Sequence, residues 1–180
     1  MKSSVYTRTQ TKSMVLCALF AAATAVLSQL SIPLPFTPVP INLATLAIFI
    51  AGGLLGPVFG SISLTVYVIL GAVGLPVFAQ FSGGVGIILG PTGGYILGYI
   101  GAAFITGLIA KRLSHSFWGN VIAMTAGLAV CYAMGTAWFM ISTGTGLLAA
   151  LGMCVVPFLI GDALKIACAA FLVNRLARHV

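Results

Sequence analysis

The chain has 180 residues, of which 61% are hydrophobic and 5% are charged. Soluble domains carry about 25% charged residues, so this composition excludes a water-facing surface and predicts an integral membrane protein. The net charge of +7 comes from eight basic residues and one acid. These charges are too few and too scattered for a nucleic-acid-binding face and are typical of signals that set membrane topology.

The apolar segments, taken in chain order, predict six transmembrane helices. The hydrocarbon core of a bilayer is about 30 Å thick, and a helix needs about 20 apolar residues to cross it. We therefore predict an all-α integral membrane protein, a six-transmembrane-helix bundle that forms a single membrane domain over residues 1–180. Gly56 and Pro57 divide the second span from the third, since proline suits the first position of a helix. The predicted spans are residues 13–32, 42–55, 58–73, 92–110, 119–141 and 147–172.

The first predicted span leaves two alternatives open. Basic residues precede it and Ala21–Ala23 resembles a signal-peptidase site, but the apolar segment continues to Leu30, which favours a retained helix. Ala18 and Ala22 are four residues apart, and small residues at this spacing let two helices approach closely. They serve either internal packing or the docking of another membrane protein.

Prolines fill the segment that follows the first span. Four of the eight residues from 33 to 40 are proline, which ends a helix because it lacks an N–H and clashes with the preceding turn. The segment predicts a stiff, extended and apolar loop that folds over part of the protein. Thr37 in this loop is a candidate ligand-binding residue.

Residues 74–94 form a glycine-rich segment that is too long for a simple turn and too apolar for a solvated loop. Non-helical backbone at membrane depth is tolerated where it is buried in protein or lines a cavity, and glycine lets backbone approach a ligand closely. The segment is therefore a candidate part of a binding site; the alternative is that its glycines only turn the chain. The candidate ligand-binding residues here are Gly83, Gly84, Gly90, Thr92, Gly93 and Tyr95.

Basic residues indicate the orientation in the membrane. Cytoplasmic loops carry the excess of Lys and Arg, and seven of the eight basic residues fall at the N-terminus, in the loop at 111–118 and at the C-terminus. With six spans these regions lie on one side, so we predict that both termini are cytoplasmic. The proline-rich loop, the glycine-rich segment and the turn at 142–146 then share the outer face.

Asp162 and Lys165 are the two charged residues inside a predicted span, and their spacing of three puts them on one helix face. A charge at bilayer depth costs about 2.5–3.5 kcal/mol, which favours a functional site. The alternative is a mutually neutralising structural pair. An ammonium suits a ligand carboxylate and a carboxylate suits N–H donors. The pair therefore predicts a small, partly apolar ligand with an acid at one end and amide-like N–H groups.

Groups suited to catalysis are scarce in the sequence. One acid and two histidines near segment ends provide no general acid–base pair. The four cysteines lie inside apolar segments without metal-site spacing, and the sequence contains no nucleotide-binding motif. We therefore predict no enzyme, no metal and no cofactor. If the chain transports a solute, transport is passive or is powered by a partner.

Three segments together resemble the BioY family, the biotin-binding substrate-specificity (S) components of energy-coupling factor (ECF) transporters. They are QLSIPLPFTPVP at 29–40, GAVGLPVFAQFSGGVGIILGPTGGY at 71–95 and GDALK at 161–165. The resemblance covers nearly the whole chain. It implies high-affinity biotin binding and uptake across the cytoplasmic membrane, with lipid around the chain. It also implies a pocket near the outer face that is closed by the first loop.

The resemblance further implies partners and residue roles. Ala18 and Ala22 would dock onto a membrane coupling subunit that carries two ATPase subunits. Asp162 and Lys165 match the family's charged ligand-binding pair, with Lys165 assigned to the biotin carboxylate and Asp162 to the ureido ring. Some family members use an additional Arg near the glycine-rich segment, which this chain lacks. An S component for another vitamin, a structural membrane protein and a small membrane enzyme are the alternatives.

Overall fold

Helices dominate the computed structural model, which describes residues 2–113 and 116–177, with side chains from residue 11 onwards. In these ranges five helical segments are long and apolar enough to cross a membrane, so the chain is a helical multi-pass membrane protein. Residues 114–115 and Arg178, which belong to the predicted basic regions, lie outside the described residues. The helices are α1 (Lys2–Gln29), α2 (Ala44–Ala72), α3 (Val85–Leu89), α4 (Gly93–Arg112), α5 (Phe117–Thr143), α6 (Leu147–Cys154) and α7 (Leu159–Leu176).

Large apolar side chains cover the outside of the helices. Val15 and Val26 on α1, Leu148 on α6 and Ile160 on α7 are all largely exposed in the isolated chain. A soluble protein rarely exposes contiguous apolar surface of this extent, whereas lipid tails solvate it. The outer helix faces therefore meet lipid, and the inner faces form the protein core.

The proline-rich segment forms a two-stranded antiparallel ribbon. Strand β1 (Ser31–Leu34) pairs with strand β2 (Thr37–Asn42), with Ile32 opposite Ile41. The segment is extended, as predicted, and its two short strands pair within an otherwise all-helical fold. Proline is tolerated because each strand of a two-stranded ribbon has one edge that needs no ladder hydrogen bond. The ribbon also ends α1 at Gln29, before the predicted end of the first span.

Helix α2 is broken in its middle, at Gly56. The backbone there has φ 77° and ψ −176°, which lies outside the helical region, and Pro57 follows. A β-carbon on Gly60 would lie 3.1 Å from the Cα of Gly52, although residues eight apart in a straight helix are separated by about 12 Å. The chain therefore folds back on itself at Gly56, where the sequence predicts the boundary between the second and third spans.

Helix α4 packs between α2 and α5, and both α4 and α5 begin and end within two residues of their predicted spans. Glycines let these backbones approach closely. A β-carbon on Gly107 would collide with the backbone at Gly56 and Pro57, and one on Gly98 would lie 3.3 Å from the Cα of Cys131. Small residues at helix contacts are typical of membrane bundles. This packing fixes α2 and α5, which both supply side chains to the site described below.

The sixth predicted span is interrupted between α6 and α7. A 3₁₀ turn at Val156–Phe158 separates them, because Pro157 has no N–H with which to continue the helical hydrogen bonds. The carbonyl of Cys154, freed by this break, accepts a hydrogen bond of 3.1 Å from the Tyr95 hydroxyl. The break places Asp162 in the first turn of α7, where the helix dipole favours a negative charge.

Candidate functional site

A cavity of about 270 Å³ lies among side chains from β2, α2, the glycine-rich segment, α4, α5 and the region around α7. Pro38, Val39 and Pro40 of the ribbon form one side of it, so the proline-rich segment covers part of the protein as predicted. Thr45 and Tyr67, from opposite arms of α2, both line the cavity because the helix folds back between them. The cavity therefore depends on the folded bundle and not on any one segment.

A buried ion pair stands on the polar side of the cavity. The Nζ of Lys165 lies 2.8 Å from Oδ1 of Asp162, and the two residues are 8% and 2% exposed. Thr45 donates a hydrogen bond of 3.1 Å to Oδ1, and the Tyr132 hydroxyl donates one of 2.5 Å to Oδ2. Donors from α2, α5 and α7 thus hold a single carboxylate.

This pair keeps hydrogen-bonding capacity for a ligand. A carboxylate has about four acceptor sites and a lysine ammonium has three donors. Asp162 accepts from Lys165, Thr45 and Tyr132, and Lys165 donates to Asp162. An acceptor site on Oδ2 and two N–H groups of Lys165 remain for other partners. The arrangement suits a ligand group that presents a donor and an acceptor side by side.

Aromatic rings form the apolar side of the cavity. The ring of Tyr67 meets Phe78 edge to face, with centroids 5.5 Å apart, and lies 6.5 Å from the ring of Tyr99. The Tyr67 hydroxyl shares a hydrogen bond of 2.9 Å with Ser28, which fixes the ring from α1. An apolar, aromatic wall with a few placed polar groups is typical of small-molecule sites.

Four residues that the sequence predicts at the site line the cavity, namely Asp162, Lys165, Thr92 and Tyr95. The hydroxyl of Tyr95 lies 3.2 Å from that of Thr136, in addition to its bond to the Cys154 carbonyl. Tyr95 therefore contributes its ring to the cavity wall while its hydroxyl ties three helices together.

The glycine-rich segment is largely irregular but contains the short helix α3, which the sequence does not predict. The candidate glycines at 83, 84, 90 and 93 are not among the described residues that line the cavity. A β-carbon on Gly83 would collide with the backbone of Leu75, and one on Gly93 with the backbone of Ile88. At positions 83 and 93 the absent side chain lets two backbone segments pack closely, and a ligand contact of the four glycines stays a prediction.

Two more of the candidate glycines and Thr37 also have local structural roles. Gly84 has a φ of 97°, a left-handed conformation that favours glycine. The carbonyl of Gly90 accepts a hydrogen bond of 3.0 Å from the indole of Trp138. The hydroxyl of Thr37 accepts one of 3.2 Å from the N–H of Val39 within the ribbon, and Thr37 does not belong to the described cavity wall.

Several residues of the cavity wall are not predicted from the sequence, including Asn42, Thr45, Gln80 and Tyr132. A single polar or aromatic residue in an apolar helix carries no spacing signal. Thr45 is 117 residues from Asp162 along the chain, so no local pattern connects the two. Of the contacts to Asp162, only the one with Lys165, one helical turn away, follows from local spacing.

Ala18 and Ala22 lie on the exposed face of α1. Ala21, on the other face, is 3% exposed and packs in the protein core. Internal packing of α1 thus uses Ala21, while Ala18 and Ala22 leave a strip of small side chains on the membrane-facing side.

The fold and the cavity define a class of protein: a small multi-pass membrane protein with a solute-binding site inside its helix bundle. Within the described residues no group of three or more potential metal ligands occurs, and the neutralised pair suits binding better than proton transfer. The sequence profile that matches is that of the BioY family, over residues 1–180. The chain belongs to this family.

Two relatives illustrate the similarity. The probable biotin transporter BioY of Pyrococcus horikoshii is 40% identical over 165 residues, which are 92% of this chain and 96% of the relative. The biotin transporter BioY of Thermotoga maritima is 36% identical over 93% of this chain and 96% of its own length. Both alignments run through nearly the whole of each protein.

A solved structure has the same fold. The crystal structure of the S component for biotin from an ECF-type ABC transporter aligns with a TM-score of 0.89 and 32% sequence identity, over 96% of this chain and 94% of that chain. The comparison therefore supports a shared architecture over the whole of both molecules.

Proposed function

We propose that this chain is the substrate-specificity subunit of an ECF-type transporter, which binds biotin with high affinity for uptake across the cytoplasmic membrane. The observation that carries the proposal is the buried Asp162–Lys165 pair beside an aromatic-walled cavity, in a chain of the BioY family. A charged pair at membrane depth is costly unless it serves a site. The relatives are named as biotin transporters.

The geometry supports a revised orientation for the ligand. The two charged groups are 2.8 Å apart, whereas the carboxylate and the ureido group of biotin lie at opposite ends of an extended molecule. Lys165 and Asp162 therefore contact the same end. A ureido group presents an N–H to Asp162 and a carbonyl to Lys165 together, while a ligand carboxylate would repel Asp162. We place the ureido ring at the pair, in place of the predicted contact between Lys165 and the carboxylate.

The fold-back in α2 supports six membrane crossings. Gly52 and Gly60 lie in contact across the break at Gly56, so each arm of α2 forms a separate crossing. An even number of crossings puts both termini on one side. The basic residues near the ends, and Lys111 and Arg112 at the end of α4, make that side cytoplasmic.

The proposed partners are a membrane coupling subunit and two ATPase subunits, which supply the energy that this chain has no motif to supply. The exposed strip at Ala18 and Ala22 supports docking of the coupling subunit on α1, since small residues let helices approach closely. An S component for another vitamin would share these features, and competition binding with thiamin and riboflavin distinguishes it.

Equilibrium binding of labelled biotin to the purified protein in detergent tests the proposal. We expect tight binding, and we expect Lys165→Met to weaken it at least about 100-fold, because a charge-assisted hydrogen bond is lost and Asp162 is left unpaired. Lys111→Met, which removes an exposed charge outside the cavity, is the matched control. Biotin methyl ester should compete nearly as well as biotin if the ureido ring meets the pair.

Three outcomes would contradict parts of this proposal. Absence of biotin binding by well-folded wild-type protein would rule out the function. A Lys165→Met protein that fails to fold would indicate a structural pair. If the methyl ester does not compete, the biotin carboxylate contacts Lys165, and the revised orientation of the ligand is wrong.

A further inference from the structure

Gln29, the last residue of α1, binds the loop that forms one wall of the cavity, which we call the wall loop (residues 76–81). Its Nε2 donates a hydrogen bond of 3.0 Å to the carbonyl of Phe78 and lies 3.4 Å from that of Pro76. Its Oε1 accepts one of 2.8 Å from the N–H of Phe81. A single side-chain amide on α1 therefore contacts three residues of the wall loop.

The wall loop is part of the cavity and not a solvent turn. Phe78, Ala79 and Gln80 line the cavity, and Phe78 is 1% exposed. The ring of Phe78 occupies the space beside Gly71, where a β-carbon would collide with it. A movement of this loop would therefore open or reshape the cavity.

The backbone of the wall loop is in an unfavourable conformation. Gln80 has φ 60° and ψ 36°, and Phe81 has φ 54°, so two consecutive residues with side chains occupy the left-handed region. Such backbone persists when the surroundings hold it in place, and it is common at ligand clamps. Gln29 holds this segment through the carbonyl of Phe78, which precedes the two residues, and through the N–H of Phe81, the second of them.

We propose that Gln29 is a positioning residue that anchors the wall loop to α1 and thereby sets how long a ligand stays in the cavity. The inference rests on the proposed function for the identity of the ligand. The anchor joins two parts of this chain, so the order of the wall loop can be measured separately. Loss of the anchor acts on dissociation more than on association, as most changes within one binding site do.

Gln29→Met tests the anchor because it removes the hydrogen bonds at similar side-chain size. We expect labelled biotin to dissociate about tenfold faster from the purified protein, with association changed less than about threefold. Amide hydrogen exchange across residues 76–82 of the ligand-free protein should also become faster. Thr125→Val, at a hydroxyl that bonds only its own helix on an exposed face of α5, is the control and should change neither quantity.

Gln29→Glu tests the role of the amide through the pH dependence of ligand dissociation. A purely structural role of Gln29 would not produce this dependence. A protonated Glu keeps one donor and one acceptor, whereas an ionised Glu only accepts and repels the carbonyl of Phe78. Dissociation from this variant should be slow at low pH and fast at high pH. Wild type and Gln29→Met, measured in parallel, control for pH effects that do not depend on the introduced Glu. Of the wall loop, β2 and α2, which pack against α1, only α2 carries an ionisable side chain, the buried phenol of Tyr67.

Each result decides the proposal. Unchanged exchange in Gln29→Met would overturn it, and so would faster exchange with unchanged dissociation, because the loop would then not control ligand exit. A pH-independent Gln29→Glu would contradict the role of the amide. If wild-type protein binds no biotin, the proposed function fails on its own, and the exchange measurement still decides whether Gln29 anchors the wall loop.

Discussion

The carboxylate of Asp162 has partners on both of its oxygens, and these partners are not equivalent. Lys165 and Thr45 share Oδ1, at 2.8 and 3.1 Å, whereas Tyr132 donates to Oδ2 at 2.5 Å. A buried polar group that loses its partner stays desolvated, which costs about 1–3 kcal/mol and more for a charge. Because Oδ1 keeps Lys165 when the Thr45 hydroxyl is removed, Tyr132 should matter more than Thr45.

Tyr132→Phe removes one hydroxyl and keeps the ring. We expect it to weaken biotin binding about tenfold or more and to lower the free energy of unfolding by about 1–3 kcal/mol, because Asp162 loses its donor at Oδ2. Thr45→Val should have a smaller effect on both. Biotin titration and unfolding in detergent measure the two quantities. Equal losses in the two variants would show that the donors to Asp162 are interchangeable.

The residues of the site differ in how far the sequence could predict them. Asp162 and Lys165 are one helical turn apart, so local geometry alone predicts their contact. Tyr132 meets Asp162 only because α5 and α7 pack together, and no spacing in the sequence encodes that. Glycine gives an ambiguous signal, since the absent side chain at Gly93 admits the backbone of Ile88, and the sequence does not distinguish such packing from close approach to a ligand.

The helices and their breaks follow from local chemistry more directly than the paired strands do. Apolar length predicts α4 and α5 within two residues, and the break in α2 falls at Gly56 as the Gly–Pro pair predicts. The sequence predicts the ribbon only as extended chain, because strand pairing is a contact between separate segments and proline weakens the strand pattern. The short helix α3 lies among glycines that are poor helix formers.

Gly56→Ala tests whether the fold-back in α2 depends on backbone conformation. With φ 77° and ψ −176°, Gly56 occupies a region that is essentially restricted to glycine. A β-carbon there would meet no atom within 4 Å, so the expected loss of about 1–3 kcal/mol in unfolding free energy comes from the backbone alone. Biotin binding should also weaken, because the two arms of α2 carry Thr45 and Tyr67.

Gly152→Ala is the matched control for this prediction. Gly152 lies in α6, and a β-carbon on it would also meet no atom within 4 Å. Alanine in a helix is more stable than glycine by about 0.5–1 kcal/mol, so this variant should be neutral or more stable in detergent unfolding experiments. If the variants at 56 and 152 behave alike, the positive φ does not control the fold of α2.

The residues of α1 that face the cavity and the residues of the proposed docking strip lie on different faces of this helix. Its inner face reaches the cavity through Ser28, which bonds Tyr67, and through Gln29, which bonds the wall loop. Its outer face presents Ala18 and Ala22 to the membrane. A partner bound on the outer face would therefore contact the helix that holds the cavity wall, without touching the ligand.

Ala18→Leu combined with Ala22→Leu should separate these two activities. Both side chains are exposed, so the isolated protein should fold and bind biotin within about twofold of wild type. Leucine fills the strip of small residues and prevents close helix approach, so assembly with the coupling subunit and ATP-driven biotin uptake should be lost. Copurification of the partner subunits and uptake by reconstituted vesicles measure this. Ala129→Leu, at an exposed position on α5, is the control and should assemble and transport normally. Full assembly of the double variant would mean that the coupling subunit docks elsewhere on the chain.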